Sequence, residues 1–142
     1  MITQFGIHLK VKNINKSLVF YKAFGLEPVF AYGDKKFLKL FQKNIQTAPE
    51  KYRGVVFKIG ETLFEIADGH MAVKNEVFQE KIISSKISAM LNVKSVQKII
   101  EICKQHSFSI AAPPRIFPWG TKEVVVKDLD GFILVFIEKL IK

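Results

Sequence analysis

Cysteine occurs once in this chain, at Cys103. No internal disulfide can form, so the fold has to be held by a buried apolar core, and the lone thiol fits a reducing compartment. Cytoplasm is the expected location. Arginine is nearly as scarce, present only at Arg53 and Arg115, although the formal net charge is +9. The positive charge is therefore almost all lysine, scattered along the chain without a block of like charges. Because arginine is the residue suited to bidentate phosphate and base contacts, this pattern predicts a lysine-coated surface and no nucleic-acid partner. It can still attract an anionic ligand. The longest uninterrupted apolar run is 132–137, far too short to span a bilayer, so no membrane partner is expected. Residues 1–8 show no basic segment leading into an apolar stretch, so no secretory signal is expected. Glycine-rich phosphate loops, paired Cys/His zinc spacings and nucleophile-elbow motifs are also missing.

What is present is a globular balance, 49% hydrophobic and 25% charged, with thirteen phenylalanines over 142 residues. That length suits one domain with a core of its own. Residues 5–11 alternate, with Ile7, Leu9 and Val11 on one face and Gly6, His8 and Lys10 on the other, as in a half-buried strand. Asn13 stands at a helix N-cap position, Ile14, Leu18 and Tyr21 follow at helical spacing, and Gly25 marks the stop. A strand is predicted near 28–32. Residues 34–43 suit a short helix at least as well as a strand, and 44–51 reads as a polar loop. Residues 54–59 and 62–66 read as a hairpin turning at Gly60. The stretch 68–85 reads as a linker with a short helix near 76–81.

The first pattern then returns. Residues 87–93 alternate, Ser95 caps a helix, and Val96, Ile99, Ile100 and Cys103 form an apolar stripe. An offset of 82, the difference between Val93 and Val11, also places Leu9 on Leu91, Asn13 on Ser95, Ile14 on Val96 and Leu18 on Ile100. Strand, cap and helix stripe repeat in register, which implies a duplicated unit. The second copy is expected to end in strands near 108–111, 122–127 and 132–137, with a Pro-rich loop around Phe117 and Trp119. The predicted units are 1–69 and 86–142, joined by a linker over 70–85, within a single domain, 1–142.

Two stretches resemble the vicinal oxygen chelate superfamily of glyoxalases, bleomycin resistance proteins and dioxygenases. Residues 7–26 carry its alternating strand, Asn13 cap, Ser17, and Phe20-Tyr21 before Gly25-Leu26. Pro118-Trp119-Gly120-Thr121 followed by Asp128-Leu129-Asp130-Gly131-Phe132 resembles its closing hairpin, with Leu129 where the family usually has proline. The resemblance implies an α+β fold: two βαβββ modules pairing into an incomplete barrel around a cavity. It also implies a homodimer. In catalytic members four strands supply metal ligands, and the ion polarises the substrate as a Lewis acid. Carried onto this sequence, the four ligand positions fall on Gly6, Glu65, Ser88 and Val135. Only Glu65 is a metal-competent side chain, so no metal cofactor is expected. Glu138, at an odd displacement from Val135, should face the other way.

By alternation the cavity-facing residues include His8, Lys10, Glu65, Met90, Asn92 and Val135, with Phe117 and Trp119 at its mouth. His8 and Glu65 are the candidate catalytic pair, because a nearby carboxylate would raise the imidazole pKa and create a proton-transfer dyad. The alternative is a hydrogen-bonded pair without ligand duty. Met90 either adapts to a ligand or fills core, and Trp119 either stacks on a planar ligand or packs on its own loop. The expected function is binding of a small organic molecule, in a sequestering or resistance role, without a metal. The alternatives are a lyase, isomerase or dioxygenase-like enzyme using His8 and Glu65, or an interaction domain with a vestigial cavity.

Overall fold

A computed structural model describes residues 1–41 and 45–140. It divides into two compact units, Met1–Glu80 and Lys81–Lys142, with the division inside the stretch read as a linker. Part of the ambiguous region 34–43, and the end of the second predicted unit, lie outside the described residues.

In the first unit, strand β1 (Gly6–Lys10) leads into helix α1 (Ile14–Ala23), where the Asn13 side chain accepts the Lys16 N–H at 3.0 Å. Strand β2 (Pro28–Gly33) follows, then a short helix α2 (Lys35–Leu38) continued by a 3₁₀ turn. Strands β3 (Gln46–Pro49), β4 (Gly54–Ile59) and β5 (Thr62–Ala67) complete a five-stranded sheet ordered β1-β5-β4-β2-β3. Residues 46–49, read from sequence as polar loop, instead form an edge strand parallel to β2. An edge position tolerates the missing N–H of Pro49, which is why its composition did not announce a strand.

The apolar face of this sheet packs against α1. Leu9, Ala31, Val55, Phe57, Phe64 and Ile66 are buried there with Ile14, Leu18, Phe20 and Tyr21. The Tyr21 ring meets Phe64 at 4.9 Å and Phe57 at 6.2 Å between centroids. Burying each such ring contributes about 2 kcal/mol, which makes this layer the main stabiliser of the unit. A 3₁₀ turn, Asn75–Gln79, lies near the helix expected at 76–81 and buries Phe78.

The second unit follows the same plan. Strand β6 (Ser88–Asn92), helix α3 (Val96–His106), and strands β7 (Ile110–Phe117), β8 (Thr121–Lys127) and β9 (Ile133–Lys139) give a four-stranded sheet ordered β6-β9-β8-β7. In both sheets the first strand lies parallel to the last, Leu9 opposite Ile66 and Leu91 opposite Phe136. That equivalence is the physical content of the in-register repeat. The helix stripe Val96, Ile99, Ile100 and Cys103 is buried on Val124, Val126, Leu134 and Phe136, and burial pushes the Cys103 thiol pKa up. Glu138 faces the helix side, as the odd displacement from Val135 predicts, and accepts the Val96 N–H at 2.7 Å. The region read as a Pro-rich loop proves to be edge strand as far as Phe117, with register shifts on either side of Ala112 that accommodate Pro113 and Pro114. The architecture is α+β, two sheets of five and four strands, neither closed on itself.

Candidate ligand-binding site

The face of the first sheet turned away from α1 carries the polar residues that alternation placed there. Across it, β1, β5, β4 and β2 align His8, Glu65, Val56 and Phe30 in one row. The next row runs Lys10, Ala67, Gly54, Tyr32 and, on β3, Ala48. His8 and Glu65 are thus direct neighbours, with His8 Nε2 and Glu65 Oε2 3.5 Å apart.

Tyr32, which sequence reasoning missed, reaches diagonally across β4 and donates its hydroxyl to Glu65 Oε2 at 2.6 Å. It can do so because the residue beneath it is Gly54, where a Cβ would collide with the Tyr32 ring. Gly69 plays the same part under Tyr52, whose ring occupies the space a Cβ would take. His8, Tyr32, Tyr52, Glu65 and Gly69, with Phe30, Ala48, Glu50, Lys51, His70 and Met71, line a cleft of about 710 Å³ within the first unit. The signal for Tyr32 was its place two residues after Phe30 on a strand. Knowing that it would meet Glu65 required the β2–β4 register, which no local pattern supplies.

The electrostatics depart from expectation. The carboxylate does raise the His8 pKa, but burial outweighs it, and Lys10 and His70 add to the downward shift, so His8 is held below the ordinary histidine value. His8 is therefore neutral at pH 7, and the imidazolium form that a raised pKa would have favoured is disfavoured. Its Nε2 is buried with no hydrogen-bond partner among the described residues, Glu65 Oε2 lying 3.5 Å away. His70 stands edge-on to His8 at 5.9 Å between ring centroids, and its Nδ1 accepts the Ala72 N–H at 3.1 Å. Burial and the Glu65 hydrogen bond push the Tyr32 phenol well above its ordinary pKa. Tyr32 is consequently a fixed donor rather than a base.

Of the other candidates, Lys10 is half-buried one row from His8 and does not line the cleft. Met90, Asn92, Val135, Phe117 and Trp119 belong to the second unit. Met90 pairs with Val135 across β6 and β9 and is 73% exposed, so it fills no core in this chain. Phe117 and Trp119 stack at 4.6 Å with an interplanar angle of 17°, and the Arg115 guanidinium lies 4.9 Å from the Phe117 centroid. The Trp119 indole N–H donates to Glu123 at 3.3 Å, yet the residue stays 67% exposed. Trp119 thus packs on its neighbour and still offers an open ring face.

The donors available do not fit a catalytic divalent ion of the expected kind. Gly6 and Val135 offer no side-chain donor and Ser88 only a hydroxyl, which leaves Glu65 alone among the four positions. Among the described residues no group of three or more His, Cys, Asp or Glu side chains could hold a metal ion.

Comparison with known proteins agrees with the architecture. The sequence pattern of the Glyoxalase/Bleomycin resistance protein/Dioxygenase superfamily matches residues 4–136. Glyoxalase I from Zea mays superposes with a TM-score of 0.69 at 16% identity, over 98% of this chain and 45% of the maize chain. A superfamily member from Sphaerobacter thermophilus covers 98% of both chains at 18% identity, TM-score 0.62. A mutant of the fosfomycin resistance protein FosX from Listeria monocytogenes, complexed with Mn(II), reaches 0.65 at 20% identity, over 96% of this chain and 92% of its own. At these identities the likeness is one of fold. No curated protein matches in sequence.

Proposed function

Because this chain belongs to the Glyoxalase/Bleomycin resistance protein/Dioxygenase superfamily, we propose that it is a member that binds a small organic molecule without the superfamily's divalent metal. The observation that carries this reading is the state of Glu65. It is the one metal-competent residue at the four expected positions, and Tyr32 already holds it in a cleft of about 710 Å³. A carboxylate so fixed is preorganised to anchor a ligand. The role that follows is sequestration or resistance, in the cytoplasm. Assembly as a homodimer is part of the same reading, supported by the exposed Met90 on the second sheet and the exposed Trp119 in its β7–β8 turn.

Fragment screening of the isotope-labelled full chain by NMR, in excess chelator, tests it. Saturable shifts are expected at His8, Tyr32, Tyr52 and His70. Fragments that bind only elsewhere, or none that binds, would count against it.

A second reading, an enzyme using His8 and Glu65, is favoured by the neutral, unpartnered His8 Nε2 beside Glu65. A neutral imidazole at pH 7 can accept a proton from a bound substrate. Turnover that His8→Gln abolishes while fragment binding persists would select this reading over simple binding.

A further inference from the structure

The cleft has a chemical bias beyond its shape. Its charged lining counts two carboxylates, Glu50 and Glu65, against one lysine, Lys51, in a chain whose formal charge is +9. Among the described residues no lysine or arginine lies within ion-pair distance of Glu65, and its histidine neighbour is neutral. One Glu65 oxygen takes the Tyr32 hydroxyl, which leaves acceptor capacity turned toward the cleft. Beside it, His8 Nε2 is buried without a partner. Around these acceptors stand the rings of Phe30, Tyr32 and Tyr52. The protein already uses one of those faces for a cation: Lys51 Nζ lies 5.7 Å from the Tyr52 centroid. Ring faces attract cations through their quadrupole, and an ammonium that gives N–H bonds to a carboxylate gains charge assistance as well.

Resting on the binding reading above, we propose that this cleft recognises an organic cation, a protonated amine carried on an aromatic or apolar body. The ammonium donates to Glu65, and the body lies among Phe30, Tyr52 and Met71. Tyr32 is a positioning residue that fixes the carboxylate. Lys51 is a built-in competitor for the Tyr52 face.

The test uses three probes of one shape, benzylammonium, benzyl alcohol and benzoate, titrated into the full chain at pH 7.5 and followed by NMR. Benzylammonium should bind roughly tenfold tighter than benzyl alcohol, with benzoate weakest. Glu65→Gln should erase that preference, bringing benzylammonium to within about twofold of benzyl alcohol. Lys51→Gln, a surface change that keeps the fold, should strengthen benzylammonium binding severalfold. Equal binding of the three, or tighter binding of benzoate, overturns the cation assignment and leaves the binding reading standing. If none of the three binds and the fragment screen is also empty, both fall.

Discussion

Tyr32 and His8 show how single side chains set the character of the cleft. The Tyr32 hydroxyl gives Glu65 a short hydrogen bond that water would otherwise make. Tyr32→Phe should therefore cost only about 1 kcal/mol of stability, by urea unfolding, while weakening ligand binding more than that through a mobile carboxylate. Gly54→Ala places a methyl group where the Tyr32 ring now lies. It should displace the ring and abolish the Glu65 contact, visible as loss of slow exchange for the Tyr32 hydroxyl proton. His8 gives a pH signature. Its folded pKa lies below the unfolded value of 6.5, through burial opposed by Glu65 and assisted by Lys10 and His70. The unfolded chain then binds the proton more readily, so His8 subtracts stability as pH falls below about 6.5 and costs nothing above it. His8→Gln should flatten the acid side of the thermal stability profile between pH 7 and 5. An unchanged profile would show that His8 titrates normally.

At the scale of elements, what could be read from sequence was whatever repeats locally. The strand before Asn13 and the strand before Ser95 alternate, and each helix begins with a side chain that takes an orphan N–H, Lys16 in one case and Lys98 in the other. Asn13→Ala and Ser95→Ala should each lower stability by about 1 kcal/mol, read from the shift in urea midpoint at constant m-value. Parity along β1 and β5 sufficed to set His8 and Glu65 on one face. Strand β3, and β7 beyond the strand expected near 108–111, were not legible, because prolines that forbid a central strand are tolerated at an edge, and only the sheet order shows which strands are edges. Tyr32 and Tyr52 were missed for a related reason. Their meeting depends on cross-strand register and on two glycines that let rings lie against the backbone, and neither is a property of a short window.

The molecule as a whole carries a fold that many catalytic proteins share, so function has to be argued from the site. Among the described residues no helix is long and apolar enough to cross a membrane. The two units repeat one strand order but differ in the face they leave open. The first carries the cleft around Glu65, and the second exposes Met90 on its sheet and Trp119 in its β7–β8 turn. If that second surface is covered by another copy of the chain, sedimentation should give a dimer, and Met90→Glu should shift it toward monomer without disturbing the cleft.

Whether the cleft binds without a divalent ion decides the reading as a whole. Calorimetric titration of the tightest fragment should be run on chelator-dialysed protein and again after saturating Mn(II) or Zn(II) is added. The same affinity in both is expected, since Glu65 alone of the four expected positions carries a metal-competent side chain. Binding that vanishes on dialysis and returns only with the metal would mean that the site is a metal centre after all.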